Sequence, residues 1–377
     1  MKFELRFPPE VLFGRGEAGK LGAIACGMGS RVLVVGGRKS LAASGARGMI
    51  EQDLDRHNLF SIWFEAAGEP EVGVVDEAVA RAQEAECNLV VAIGGGSALD
   101  TGKAVAGLIP NEGSVKDYLE GVGTGAVMKR APVPFIAVPT TAGTGSEATR
   151  NAVIAGRREG FKRSFRDPRL VPRAVIIDPD LAASCPREIT AACGMDALTQ
   201  LIESLVSLNA TALTRSLSLS GISAAGKGLP GAFEAGESME KRELMAYASF
   251  LSGVTLSHAG LGAVHGLAAN IGGLFDVSHS VVCARLLAPV SRASISALEK
   301  GRGDSDALAL YRQARDLLGE EIGAFCSRFS LPGLSRFGLK ASDAGLILSD
   351  LDGGGFRTNP VELTREELSS CLAEAIG

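Results

Sequence analysis

Asp196 and Gln200 stand four residues apart in GMDALTQLIES (194–204), a stretch that reads as helix, and residues four apart share one helical face. Their neighbours Met195, Leu198, Leu201 and Ile202 are apolar, so a carboxylate and an amide are carried into surroundings where an unpaired polar group is costly. Either the two satisfy each other and nearby backbone, or they hold something. Two other stretches suit phosphate and ribose. GGGSALDTGKA (94–104) places Gly94, Gly95 and Gly96 directly after the apolar run LVVAI and directly before a helical pattern. Backbone amides at a helix start cradle phosphate, and glycine lets it approach with no Cβ in the way. PTTAGTGSEATRN (139–151) follows another strand end, and Thr140, Thr141, Thr144 and Ser146 supply hydroxyls for ribose and phosphate at the same sheet edge. GRGEAG (14–19) also fits the bare dinucleotide glycine pattern. It follows prolines and has no acid near residue 39, so it reads as a turn before a helix.

These stretches must be positioned by regular elements. RVLVVGG (31–37), SIWFEAAG (61–68), NLVVAIGGG (88–96) and PVPFIAVPTT (132–141) read as strands; EVGVVDEAVARAQEA (71–85) and the segment from Gly96 read as helices. Strand–helix–strand repetition implies a parallel sheet with helices on its faces, and such sheets bind ligands beyond the carboxyl ends of their strands. Strand patterns stop after AVIIDPDL (174–181), and from residue 186 helical patterns follow one another. A domain boundary is expected near 183–186. The FPPEVLF run ahead of residue 14 is a poor central strand because of its prolines.

Composition narrows the class. The 377 residues suit two domains, and 46% hydrophobic with 21% charged residues is globular. Net charge is −5 and there is no basic run, so nucleic acid is not an expected partner. Seven scattered cysteines form no CxxC pair, which points to reduced thiols in a cytoplasmic setting and away from a disulfide framework or thiolate zinc site. Residues 244–275 lack Asp, Glu, Lys and Arg, yet carry two histidines and many glycines, and read as buried core helices rather than a membrane span.

Taken together, GGGSALDTGKA, PTTAGTGSEATRN, AVIIDPDL, GMDALTQLIES and HAGLGAVHGLAANIGGLFDVSHS (258–280) resemble the iron-containing, or group III, alcohol dehydrogenase family. The blocks occur in the family's order and cover most of residues 30–290. The resemblance implies an α/β dinucleotide-binding domain with a parallel sheet (1–184) and an all-α metal and substrate domain (185–377). It implies an active site in the cleft between them, hydride transfer between NAD(P)H and an alcohol/aldehyde pair, and a homo-oligomer. Cofactor contacts are expected from Gly94, Gly95, Gly96, Ser97, Asp100, Thr140, Thr141, Thr144, Ser146 and Asn151. Lys162, in GFKRSF, matches a family lysine that reaches cofactor or an acidic substrate and is a catalytic candidate. The strand 31–37 ends in Gly37, where NAD-preferring members carry Asp, and Arg38 and Lys39 follow. An acid there would bond the ribose of NAD and repel a 2′-phosphate, whereas Arg and Lys pair with one. The expected cofactor is therefore NADP(H), with NAD the alternative.

The family holds a divalent metal with one Asp and three His. Matched residue by residue, this chain offers Asp196, Gln200, His265 and His279, so Gln200 replaces a histidine. An amide oxygen is a weaker donor than imidazole toward Fe²⁺ or Zn²⁺, the expected metals, and a metal-free site with protonated His265 or His279 as the polarising donor is the alternative. A second departure is Ala269, where members carry another histidine. His258 is read as structural and His57 as a surface residue. The leading function is an NADP(H)-dependent alcohol dehydrogenase or aldehyde reductase acting on a small molecule, with no membrane partner. A maleylacetate-reductase-like or hydroxyacid enzyme, drawing on Lys162 and Arg150, and a non-catalytic cofactor-binding protein are the rivals.

Overall fold

The computed structural model describes residues 3–37, 41, 45–66, 68–351 and 354–377. The chain divides into two compact units. The α/β unit runs from Arg6 to Cys185 and the helical unit from Pro186 to Gly377; the latter also takes the residues up to Leu5 and Ala142–Thr144 out of the hydroxyl-rich loop.

The α/β unit carries strands β1 (Glu10–Phe13), β2 (Arg31–Gly37), β3 (Phe60–Ala66), β4 (Leu89–Gly94), β5 (Phe135–Pro139), β6 (Asn151–Gly156), β7 (Phe161–Arg166) and β8 (Ala174–Ile177). Six of them form a parallel sheet in the order β1-β8-β5-β4-β2-β3, and β6 pairs antiparallel with β7 as a separate ribbon. β2, β4, β5 and β8 are apolar runs with buried interiors because a parallel sheet is covered on both faces. The proline-preceded β1 lies at the sheet edge, where a strand can lack hydrogen-bond donors. Helices α1 (Leu21–Cys26), α2 (Ala46–Arg56), α3 (Val72–Glu84) and α4 (Gly96–Leu108) connect the strands. The chain leaves β2 for β3 on one side and returns to β4 on the other. The carboxyl ends of β2 and β4 therefore flank the switch point, the place where open α/β sheets take ligands.

The helical unit is built on α5 (Arg187–Val206), α6 (Ala212–Glu234), α7 (Met239–Ala259), α8 (Ala263–Leu274) and α9 (His279–Glu299), followed by α10 (Ser305–Leu318), α11 (Ile322–Ser327), α12 (Ala344–Ile347), α13 (Gly354–Thr358) and α14 (Arg365–Ile376). α5 is buried almost all round from Thr190 to Val206, so its apolar residues form no single stripe. The charge-free 244–275 run resolves into most of α7 and all of α8, as core helices. Among the described residues, α9 is the one helix whose length and composition would let it cross a bilayer, and most of it is buried in protein.

Candidate functional site

In the helical unit, α5, α8 and α9 bring four ligating atoms together. One atom each from Asp196, His265, His279 and Cys283 lies within 4.8 Å of all the others. His265 Nε2 is 3.4 Å from Asp196 Oδ1, and Cys283 Sγ is 3.6 Å from His265 Nε2 and 3.5 Å from His279 Nε2. Ser280 Oγ donates to Asp196 Oδ2 at 3.0 Å, whereas Asp196 Oδ1 is buried with no hydrogen bond. An ionisable oxygen that is wholly buried and unsatisfied is expensive unless it has a cation partner. That buried oxygen, facing two imidazoles and a thiol, completes a donor set that fits a divalent metal.

The site is electrostatically coupled. Burial works to raise the Asp196 carboxyl, but the His265 imidazole 3.4 Å from its Oδ1, the nearby His279 charge and the Ser280 hydroxyl outweigh this and hold it below the ordinary range. Burial disfavours the His265 imidazolium, but Cys283, Glu203 and Asp196 raise its pKa well above the usual value. Burial pushes the Cys283 thiol up to about 12 in the metal-free protein, against the pull of His265.

Glu203, in the last residues of the GMDALTQLIES stretch, orients the site. Its Oε2 is 2.6 Å from His265 Nδ1 and its Oε1 accepts from the Val264 amide at 2.7 Å. A carboxylate on Nδ1 holds a proton there, so that Nε2, which faces the other ligands, is the nitrogen whose proton a metal would displace. Gly262 makes the approach possible, because a Cβ there would stand 2.7 Å from Glu203 Oε1 and 2.7 Å from Asn359 Oδ1. Asn359, in the closing TNP segment, accepts from the Ala263 amide at 3.1 Å and so caps the start of α8.

Gln200 shares the buried face of α5, and its Oε1 accepts from Ser252 Oγ of α7 at 2.6 Å. The amide is thus satisfied by a hydroxyl of the core. Ala269 lies one turn beyond His265 on α8 and is exposed. His258 bonds the Val254 carbonyl one turn back at 2.7 Å, and His57 is half-buried at the end of α2, with Nδ1 2.8 Å from the Asp53 carbonyl.

In the α/β unit, Gly94 ends β4 beside Gly37, which ends the described part of β2; a Cβ on Gly94 would stand 3.3 Å from the Gly37 amide nitrogen. Arg38 and Lys39 lie outside the described residues. Among the described residues no side chain caps the α4 N-terminus, and Gly95, Gly96 and Ser97 are partly open there, as an amide cradle for phosphate requires. Thr140 and Thr141 follow β5 on the neighbouring strand. Thr140 donates its amide to Gly94 at 2.9 Å, and Thr141 Oγ1 would be 3.1 Å from a Cβ on Gly95. Thr144 is half-buried and is grouped with the helical unit.

Asp100, Ser146 and Asn151 are instead tied to one another through the buried Lys103. Lys103 Nζ donates to Ser146 O (2.7 Å), Ser146 Oγ (3.1 Å), Thr149 Oγ1 (2.7 Å) and Asn151 O (2.8 Å). Asp100 takes the Ser146 hydroxyl at 2.5 Å and the Val153 amide at 3.0 Å. This network ties α4 to the loop behind the cradle. Lys162 sits on β7 with its ammonium 2.5 Å from the Glu69 carboxylate, and Arg150 Nε is buried with no hydrogen bond.

Comparison with known proteins agrees with this geometry. Residues 8–179 match the family model described as iron-containing alcohol dehydrogenase, and residues 190–325 match the C-terminal model of the same family. The chain belongs to the iron-containing alcohol dehydrogenase family. It is 30% identical over 381 residues to an NAD-dependent methanol dehydrogenase of Bacillus methanolicus, covering 98% of both chains. It is likewise 30% identical over 375 residues to alcohol dehydrogenase 4 of Saccharomyces cerevisiae, covering 98% of this chain and 97% of that one. The structure of an alcohol dehydrogenase from Oenococcus oeni superposes with a TM-score of 0.86 at 28% identity, over 99% of this chain and all of that one. The family carries the alcohol dehydrogenase type of oxidoreductase activity and the parallel-sheet-plus-helical architecture described above.

Proposed function

We propose that the protein is an NADP(H)-dependent alcohol dehydrogenase, or aldehyde reductase, with a divalent metal held by the Asp196 cluster. The observation that carries this reading is the convergence of the buried Asp196 carboxylate, whose Oδ1 has no hydrogen bond, with ligating atoms of His265, His279 and Cys283 within 4.8 Å of one another. A bound metal supplies Lewis-acid polarisation of a carbonyl oxygen, and the nicotinamide supplies or takes the hydride. The protein's own part is positional. Glu203 and Ser280 fix the His265 ring and the Asp196 carboxylate, so that the ligating atoms face one point. Gly94 to Ser97 offer backbone amides to the dinucleotide phosphates, and Thr140 and Thr141 flank them.

The NADP(H) preference is supported by Gly37 in place of an acid and by the Arg38–Lys39 pair that follows; the Bacillus relative is named for NAD, so the two cofactors must be compared directly. The Glu69 carboxylate already compensates Lys162, which disfavours a hydroxyacid substrate bound by that lysine. The seven cysteines form no disulfide among the described residues, which fits a reducing compartment.

The test is elemental analysis of protein purified without chelator, with aldehyde reduction by NADPH and by NADH before and after chelation. Near-stoichiometric metal, activity lost on chelation and a higher kcat/KM with NADPH are expected. Full activity without metal overturns the metal assignment, equal or better NADH use overturns the cofactor assignment, and no turnover with any added metal favours a non-catalytic cofactor-binding protein.

A further inference from the structure

We infer that Cys283 is the fourth protein ligand of the metal in this chain, taking the coordination place that Gln200 does not fill, and that the site is a zinc site of the Asp–His–His–Cys type. The inference rests on the metal assignment made above and specifies its ligands. Three observations carry it.

The first is spacing. Cys283 lies four residues after His279 on α9, so both side chains leave the same helical face. With zinc–sulfur near 2.3 Å, zinc–nitrogen and zinc–oxygen near 2.1 Å and tetrahedral angles, neighbouring ligands stand about 3.6 Å apart for S···N and about 3.4 Å for N···O. The observed separations are 3.5 and 3.6 Å from Cys283 Sγ to the two imidazole nitrogens, and 3.4 Å from His265 Nε2 to Asp196 Oδ1. These three separations fit tetrahedral ligand contacts, and all four ligating atoms lie within 4.8 Å of one another.

The second is Asp196 Oδ1, wholly buried, without a hydrogen bond and facing the same cluster, with His265 Nε2 at 3.4 Å. It identifies the point between the four groups as a place for a cation.

The third is Gln200. Its amide lies 2.6 Å from the Ser252 hydroxyl, which also reaches the Ser249 carbonyl at 2.7 Å, and a neutral amide is a poor ligand for a borderline-soft ion. Cys283 restores the ligand count to four with a donor that favours zinc over iron. Coordination is by the thiolate, and the thiol proton leaves to water as the ion binds.

The test loads the full-length, metal-stripped protein with Co²⁺ and separately with Zn²⁺. Cobalt bound to wild-type protein should show a near-ultraviolet thiolate-to-metal charge-transfer band. The band should vanish in Cys283→Ser and persist in Gln200→Leu. Cys283→Ser should lower zinc affinity by more than about 100-fold, the upper range for losing an outer partner of a ligand. X-ray absorption of the zinc-loaded wild-type protein gives a second reading that needs no variant, and a sulfur scatterer near 2.3 Å is expected. Stoichiometric metal with only nitrogen and oxygen scatterers, no charge-transfer band and affinity lost in Gln200→Leu would overturn the Cys283 assignment while leaving the metal site standing. Failure to bind cobalt, zinc or iron at all would overturn both.

Discussion

Glu203 Oε2 lies 2.6 Å from His265 Nδ1, with both side chains buried. The contact joins the same helix that supplies Asp196 to the helix that supplies the first imidazole, and it sets which ring nitrogen faces the cluster. Glu203→Gln keeps the shape but replaces the carboxylate acceptor with a weaker amide oxygen. Metal affinity should fall by about 10- to 100-fold, as for other outer-shell partners of a metal-bound histidine, with little change in fold. Gly262→Ala should do the same indirectly, because its Cβ would collide with the Glu203 carboxylate. Competition with a fluorescent zinc chelator reads both, and unchanged affinity in Glu203→Gln would show that His265 is oriented by packing alone.

Gly94 faces a different constraint. A Cβ there would stand 2.6 Å from the Ala98 Cβ in the first turn of α4. Gly94→Ala should therefore push the helix start away from the strand end and cost about 1–3 kcal/mol, the range for overpacking a dense interior. Because the displaced amides are the proposed phosphate cradle, KM for the cofactor should rise while that for the aldehyde changes little. Denaturant unfolding and initial-rate kinetics separate the two effects.

Gly37 offers the cofactor test. It ends β2 beside Gly94, at the switch point of the sheet. Gly37→Asp should bring a carboxylate to the ribose and turn preference toward NADH by about tenfold or more in the ratio of kcat/KM values, equivalent to about 1.4 kcal/mol. An unchanged ratio would place the ribose elsewhere.

The strands were legible because a buried parallel sheet writes itself as unbroken apolar runs. RVLVVGG appears as β2 over its full length, while the run proposed over 88–96 shortens to Leu89–Gly94 because the last glycines belong to the turn and helix. Asp196, His265 and His279 converge on one another. Cys283 was hidden because a search for thiolate sites looks for paired cysteines, and this chain pairs its cysteine with a histidine one turn away. The spacing from His279 was visible; the approach of His265 depends on how α8 crosses α9. Glu203 was visible too, seven residues past Asp196 on the same face, but nothing in the sequence says that Gly262 clears its path to His265. Asp100, Ser146 and Asn151 read as ligand contacts because they sit in glycine-rich motifs. Their bonding to Lys103 arises from tertiary closeness between α4 and residues 146–151, which local pattern does not encode.

The same network predicts a stability profile. Glu147 is buried, and burial raises its carboxyl from 4.5 to about 7 despite its own backbone hydrogen bond and the pull of Lys103. Lys103 is lowered by burial from 10.5 to about 8, against the attraction of Asp100 and Glu147. Between pH 4.5 and 7 the folded state holds the Glu147 proton that the unfolded state has released. That contribution is present in full below pH 4.5 and is lost as pH rises through 7, by about 3 kcal/mol at 1.36 kcal/mol for each pH unit. For Lys103 the unfolded state holds the extra proton between 8 and 10.5, so its contribution is present above pH 10.5 and is lost as pH falls through 8. Glu147→Gln should remove the decline between pH 5 and 7 and leave the alkaline rise in place. Lys103→Met should remove the alkaline rise and, by stranding the Ser146 and Asn151 carbonyls, lower stability by about 3 kcal/mol at neutral pH. Urea unfolding across this pH range is the measurement, and a Glu147→Gln profile parallel to that of the wild type would show that Glu147 titrates as an ordinary carboxylate.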